Sequence, residues 1–182
     1  AAVGTIQMQR LDEIMGRRGQ IAQWYTRRLG GVADISCPTV EDGVHMSWDG
    51  FVIRLSDKFT QDDRDEVIKG LHRHDIGAAD FFQSIPTLPV FSEYSKNANC
   101  PVAESISQRT IALPFYTTMT QREVDIVGQT LINETILFIF GFEPKTLTNC
   151  VATRPKLISL LLDHPPINTQ CFDECHCWNI VI

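Results

Sequence analysis

The sequence predicts a small α/β domain in which helices pack on one small sheet. Three observations support this fold class. The chain opens with a long segment of helical periodicity, residues 1–29. The run at residues 51–55, rich in β-branched residues, is typical of a strand, and residues 111–113 are predicted to form a short extended piece that Pro114 stops. Strong N-cap signals at Thr60 and Thr120 predict two later helices. With 182 residues, 43% of them hydrophobic, the chain can bury one good core.

The first helix is predicted to run without a break from the first residue to Leu29. Its apolar residues recur at helical spacing: Leu11, Ile14, Met15, Ile21, Ala22, Tyr25 and Leu29. Gly30 and Gly31 are predicted to end it. Because no N-cap residue or initiator Met precedes Ala1, we expect that further residues stand before it.

The middle of the chain is predicted to alternate strands and helices. A strand over residues 51–55 (FVIRL) is followed by a helix capped by Thr60. Gly77 is predicted to close that helix, and AADFF at residues 78–82 to form a second strand.

The remaining elements lie beyond a proline-rich loop at residues 84–99. A helix over residues 101–108 starts with proline at its first position, which is favourable there. The strand at 111–113 then leads to a helix in which Thr120 and Glu123 have the spacing of a capping box. The resulting order is long helix, strand, helix, strand, loop, helix, short strand and helix.

Residues 1–135 are predicted to form one domain, and residues 136–182 a tail of unassigned origin. The tail contains four of the six cysteines and shows no sustained helical or strand period. A truncated, recombined or frameshifted reading would produce such a tail.

The cysteine-rich end of the tail is not predicted to bind metal. Thiolate and imidazole groups are good zinc ligands, but structural zinc sites usually combine two separated pairs of ligands. The cluster here lies within seven residues and lacks that spacing: Cys171, Cys175, His176 and Cys177.

Charge and hydropathy exclude several classes of partner. The net charge of -6 argues against nucleic acid or an anionic membrane as a partner, since both favour a basic surface. No signal peptide is visible, and the longest apolar run, residues 136–142, is too short to span a bilayer. Six cysteines without a secretory signal are typical of reduced thiols, so a cytoplasmic location is expected.

Three segments resemble the C-terminal region of the DegT/DnrJ-type sugar aminotransferases. The opening AAVGTIQMQRLDEIMGRRGQIAQWYTRRL is similar to the helix that begins this region of the family. SWDGFVIRL resembles its Trp-led central strand. PVAESISQRTIALPFYTTMTQREVDIVGQTL is similar to the family's ending almost position by position. The resemblance covers roughly residues 1–135 in order and spacing.

The resemblance implies the C-terminal small domain of a fold-type I aminotransferase. Such enzymes use pyridoxal phosphate (PLP), held by a lysine, to transfer an amino group from an amino acid to a keto-sugar nucleotide. In this family that lysine belongs to the large N-terminal domain. No lysine here has the family's Ser-rich approach and glycine-rich turn: Lys58, Lys69, Lys96, Lys145 and Lys156. No catalytic or cofactor-binding residue is therefore assigned, and the chain alone is expected to be inactive.

The resemblance also assigns a substrate-binding loop within DIGAADFFQSIPTLP. Asp80 stands where the family commonly has Asn, and Phe81 and Phe82 keep the aromatic character of the family's loop. Pro86 stands where a His is usual, and Ala79 replaces a frequent Arg. These departures remove several hydrogen-bond donors that a phosphorylated or hydroxylated ligand would use.

Two functions fit these features. In the first, the chain is the C-terminal part of a PLP-dependent aminotransferase, its partner is the missing large domain, and the assembly is a homodimer as is usual in the family. In the second, the chain is a stand-alone, non-catalytic binding module that reuses the small domain. A small domain separated from its partner is expected to expose an apolar face. Three alternatives remain for this face: the apolar runs of the tail fold back over it, the chain self-associates through it, or the chain aggregates.

Overall fold

The computed structural model describes residues 2–91, 93 and 99–139. In chain order, the elements are α1 (Ala2–Gln9), α2 (Leu11–Leu29), β1 (Ile35–Ser36), β2 (Phe51–Leu55), α3 (Gln61–Arg73), β3 (Ala79–Asp80), α4 (Pro101–Ser107), β4 (Thr110–Leu113) and α5 (Gln121–Ile139). Two single 3₁₀ turns, Ile85–Thr87 and Pro89–Phe91, follow β3.

The sheet has the strand order β1-β2-β4-β3, and every neighbouring pair is antiparallel. This confirms a mixed architecture of helices and a small sheet, of the α+β kind. Alternate residues of β2 and β4 are buried on one face of the sheet: Phe51, Ile53, Leu55, Ile111 and Leu113. The opposite face carries Val52 and Arg54 from β2.

The core lies between the buried face of the sheet and the helices α2, α3 and α5, of which α2 and α3 each pack against α5. Tyr25 of α2 lies against the ring of Phe51, with centroids 4.8 Å apart and planes 19° apart. Its hydroxyl donates a hydrogen bond to the Pro114 carbonyl oxygen at 2.8 Å. α2 is thereby tied both to the sheet and to the loop that precedes α5.

The predicted helix starts are confirmed by their hydrogen bonds. The Thr60 side chain accepts from the Asp63 amide, and the Asp63 carboxylate accepts from the Thr60 amide, which completes a capping box. The predicted box at α5 is present as well, because Glu123 Oε2 accepts from the Thr120 amide at 2.7 Å.

Two predicted helix boundaries were wrong. The first helix is interrupted at Arg10, and α1 buries none of its residues. Among the described residues, α1 therefore has no packed face that would stabilise one continuous helix with α2. The helix capped by Thr60 ends at Arg73 rather than at Gly77, because Asp75 takes the left-handed conformation, φ 57°.

The strand predictions also need correction. The segment predicted over residues 78–82 forms only the two-residue edge strand β3. Phe82 has φ 48°, which is outside the strand region and turns the chain away from the sheet. The short strand β1 was not predicted, since two residues carry no recognisable period.

The last helix continues to Ile139, past the predicted domain boundary at residue 135. The rest of the tail, with its cysteine cluster, lies outside the described residues. Within the part that the structure describes, no helix is long and apolar enough to cross a membrane. No group of three or more candidate metal ligands occurs in that same part of the chain.

The capping carboxylate of α5 makes stability sensitive to acid. Hydrogen bonds from Thr120 and Tyr116 lower the pKa of Glu123 below its usual value of 4.5. A carboxyl whose folded pKa is depressed stabilises the fold above its unfolded pKa, and this contribution disappears as pH falls through the folded value. We therefore expect Glu123→Ala to lower the melting temperature at pH 7 and to match the wild type once both are measured well below pH 4. A Glu123→Ala deficit that persists undiminished in acid would contradict the assignment.

Candidate functional site

The four residues of the predicted substrate loop lie at the β3 edge of the sheet. Asp80 is the last residue of β3 and is exposed. Phe81 and Phe82 follow it with 42% and 76% of their surface exposed. Their rings touch, with centroids 4.5 Å apart and planes 45° apart. Pro86 lies half-buried in the first 3₁₀ turn. The structure thus brings the aromatic pair together and presents it at the surface.

The strand register places Ala79 and Asp80 on opposite faces of the sheet. Ala79 pairs with Ala112, which lies on the partly covered face, whereas Asp80 pairs with Ile111, which is buried on the core face. Because successive side chains of a strand alternate, Asp80 is placed on the core side at the open edge of the sheet. Its carboxylate is therefore directed away from the face that carries Arg54.

Hydrogen bonds hold the loop in place. Thr110 Oγ1 of β4 lies 3.3 Å from the carbonyl oxygens of both Phe81 and Ser107, so its single proton can be donated to either. The Ser84 carbonyl accepts from the Thr87 amide at 2.9 Å and from the Thr87 hydroxyl at 2.7 Å. These bonds fix both ends of residues 81–84, which belong to no helix or strand.

The C-terminal turn of α3 supports the start of β3. His72 Nε2 donates to the Ala78 carbonyl oxygen at 2.7 Å, which fixes the chain just before the strand. Arg73 and His74 lie 3.1 Å and 3.3 Å from the buried carboxylate of Glu134 on α5. The packing here is tight, because a Cβ added to Gly70 would overlap the Glu134 carboxylate.

Away from this loop, an open groove of about 850 Å³ runs along α2. Arg17 lines it, but the Arg17 guanidinium donates to the carbonyl oxygens of Thr117 (3.0 Å) and Met119 (2.9 Å). It also lies over the Trp24 ring, 5.2 Å from the centroid. This arginine ties α2 to the loop before α5 and is not free to bind an anion.

The described lysines do not fit the requirements of a PLP site. A cofactor lysine needs a neutral amine in a protected pocket. Lys58 is exposed and lies 3.2 Å from Asp34, and Lys69 is exposed and donates to Glu66 at 2.7 Å. The Glu66 carboxylate also raises the pKa of Lys69, which favours the unreactive ammonium. The other three lysines lie outside the described residues.

Comparison with known proteins decides the family. The sequence profile of the DegT/DnrJ/EryC1/StrS aminotransferase family matches residues 1–132. The chain belongs to this family. Within the DegT/DnrJ/EryC1/StrS family, it is 30% identical over 130 residues to the spore coat polysaccharide biosynthesis protein SpsC of Bacillus subtilis, covering 70% of this chain and 33% of SpsC.

A second relative from the family is the dTDP-4-dehydro-2,3,6-trideoxy-D-glucose 4-aminotransferase of Saccharopolyspora spinosa. It is 28% identical over 129 residues, which cover 70% of this chain and 32% of the relative. The chain therefore spans about a third of the length of the curated relatives it matches.

Solved structures show the same fold. The chain is similar to Helicobacter pylori PseC, an aminotransferase involved in the biosynthesis of pseudoaminic acid, with a TM-score of 0.68 and 19% identity over 74% of this chain and 36% of PseC. It is also similar to Spr1654 from Streptococcus pneumoniae in its PLP form, with a TM-score of 0.69 and 21% identity over 74% of this chain and 34% of Spr1654. The predicted family resemblance is confirmed, whereas the substrate roles of the loop residues stay predictions.

Proposed function

We propose that residues 1–135 form the small C-terminal domain of a PLP-dependent aminotransferase that acts on keto-sugar nucleotides. The observation that carries this proposal is the family match over residues 1–132. A relative named for its action on a dTDP-linked dehydro sugar, and a structural neighbour in a PLP form, support the substrate class and the cofactor.

In this proposal, the chain supplies substrate contacts and not the reacting groups. The exposed pair Phe81 and Phe82 provides an apolar surface beside the sheet edge, and Pro86 shapes the turn that follows. The lysine that binds PLP comes from a large domain, corresponding to the two thirds of the relatives that this chain does not match. The 182 residues by themselves are therefore inactive.

The large domain is the proposed partner in a cytoplasmic homodimer. The loop after β3 exposes five large apolar side chains within eleven residues: Phe81, Phe82, Ile85, Val90 and Phe91. Covering apolar surface contributes about 25 cal/mol per Å². Burial of this segment against a second domain or a second copy would therefore favour association.

The proposal is tested by titrating the purified chain with PLP, followed by borohydride reduction and peptide mapping. We expect slow, unsaturable labelling scattered over the exposed lysines, because neither Lys58 nor Lys69 has a protected amine. Lys58→Arg and Lys69→Arg should each remove only their own share of the label. Adding a family large domain in trans should then restore transamination of a keto-sugar nucleotide.

Two outcomes would contradict the proposal. A saturable absorbance band trapped on a single lysine would mean that the chain carries its own cofactor site. A stably folded monomer that gains no activity with any large domain, but binds a ligand alone, would favour the stand-alone binding module.

A further inference from the structure

The helix α1 carries an apolar surface that the described part of the chain leaves open. Val3, Ile6 and Met8 are each more than half exposed, and Leu11 at the start of α2 is exposed as well. Residues Ala2–Gln9 contain no charged side chain. A helix of eight residues is marginal in water, because nucleation costs more free energy than so few hydrogen bonds return. The helix therefore gains stability from any partner that buries its apolar side chains.

The loop before β2 adds three further exposed apolar side chains beside α2. Ser47 Oγ lies 3.9 Å from Met15 Sδ, and Arg18 donates to Asp49 at 3.1 Å, so the end of this loop is held against α2. Met15 lies one turn beyond Leu11 on the same side of α2. Together the seven exposed side chains form what is here called the α1 surface: Val3, Ile6, Met8, Leu11, Val40, Val44 and Met46.

The α1 surface is large enough for a specific interface between two copies of the chain. Burying one large aliphatic side chain removes roughly 60–120 Å² of apolar surface from water. The seven partly exposed side chains therefore offer on the order of 600 Å² per copy, or about 1,200 Å² for a pair. A specific interface requires about 1,000 Å² in total. A second copy can thus bury enough surface to bind without any other partner.

The distribution of charge favours a second copy at this surface. Two chains of net charge -6 repel each other, and the repulsion is weakest where no charged residue lies. The first charged residues after α1 are Arg10, Asp12 and Glu13, and the side chains of Arg10 and Glu13 pair with each other at 3.1 Å. In a two-fold antiparallel pair of helices, these residues lie at opposite ends, and each set faces the uncharged residues of the other copy's α1.

We propose that the 182-residue chain forms a two-fold dimer in which α1 of one copy packs antiparallel on α1 of the other. Val3, Ile6 and Met8 lie at the centre of this interface, and the apolar side chains of residues 40–46 lie at its edge. The inference does not depend on the proposed function, because it involves neither PLP nor the loop after β3. If a large domain were the occupant of the α1 surface instead, the 182-residue chain alone would be a monomer.

The test is analytical ultracentrifugation of the purified 182-residue chain, comparing the wild type with Ile6→Glu. The wild type should sediment as a dimer at concentrations of about 100 μM and dissociate on dilution. Ile6→Glu should raise the dimer dissociation constant at least about a hundredfold, because two-fold symmetry places the new carboxylate in the apolar interface twice. Glutamate is as good a helix former as isoleucine, so this loss would not reflect a weaker helix.

Two control variants locate the interface. Val102→Glu places the same charge at an exposed apolar position of another helix, α4, and should change the dimer dissociation constant by less than about twofold. Phe82→Glu does the same in the loop after β3, whose apolar side chains offer the competing surface, and should also leave the dimer intact.

Amide hydrogen exchange provides a second measurement that also checks folding. The amides of α1 should be protected in the wild type and exchange rapidly in Ile6→Glu. The core of Ile6→Glu should remain protected, because α1 buries none of its residues. The inference is overturned if the wild type sediments as a monomer, if Ile6→Glu remains a dimer, or if Phe82→Glu dissociates it. The PLP labelling and the transamination assay do not measure association, so they judge the proposed function separately.

Discussion

Tyr25→Ala is expected to lower the free energy of unfolding by about 3–5 kcal/mol, a loss typical of truncating a fully buried aromatic residue. Tyr25 is 0% exposed and stacks on Phe51. Its hydroxyl is the donor to the Pro114 carbonyl oxygen, so truncation removes both the packing and the link between α2 and the loop before α5. Burial also raises the pKa of the Tyr25 hydroxyl, so it remains a donor throughout the physiological range. Urea-induced unfolding followed by fluorescence would measure the change.

Tyr25→Phe separates the hydrogen bond from the packing. It keeps the ring and leaves the Pro114 carbonyl oxygen without its donor, which should cost about 1–2 kcal/mol. This milder variant also keeps the prediction measurable if Tyr25→Ala does not fold. Tyr116→Phe is the control, because the Tyr116 side chain is exposed and its hydroxyl donates to the Glu123 carboxylate at 3.1 Å. A Tyr25→Ala protein within about 1 kcal/mol of the wild type would show that this contact does not hold the core together.

Structural features that depend on residues close together in the sequence could be predicted from the sequence alone. The caps at Thr60 and Thr120 are set by side chains three residues from their partners, so the sequence alone identifies them. The alternation within residues 51–55 likewise indicates which side chains of β2 face the core. The same alternation places Val52 and Arg54 on the other face of the sheet.

Features that depend on distant pairing could not be predicted in this way. β1 is two residues long and exists because β2 supplies its hydrogen bonds, about 20 residues further along the chain. Phe82 adopts the left-handed conformation, which a sequence usually indicates by a glycine or an asparagine at that position. Phenylalanine gives no such indication. The loop that contains Phe82 is held by a hydrogen bond from the Thr110 hydroxyl to the Phe81 carbonyl oxygen. Thr110 belongs to β4, which follows α4 in the sequence. The position of the aromatic pair relative to the sheet therefore follows from tertiary structure.

Arg64→Met is expected to destabilise the chain by about 2–3 kcal/mol, because it removes a buried, charged donor from the backbone carbonyl oxygens it holds. Arg64 is 3% exposed, and its guanidinium reaches the carbonyl oxygens of Ser107 (3.2 Å) and Thr110 (3.4 Å). It also donates to Asp65 at 2.7 Å. Methionine keeps much of the apolar stem, so the loss reports mainly on the polar contacts. Thermal and urea unfolding would measure it, with Arg27→Met as the exposed control.

The loss of local stability caused by Arg64→Met should be largest at the start of β4. Arg64 would then support the loop that carries the candidate site. Thr110 lies between Arg64, which bonds to its carbonyl oxygen, and Phe81, whose carbonyl oxygen its hydroxyl reaches. Loosening this residue should speed amide hydrogen exchange in β4 and β3 more than in α2. Tyr25→Phe, which weakens the opposite end of the core, should leave exchange in β3 nearly unchanged. Equal acceleration of exchange in both variants would mean that Arg64 stabilises the domain as a whole and does not position the aromatic pair.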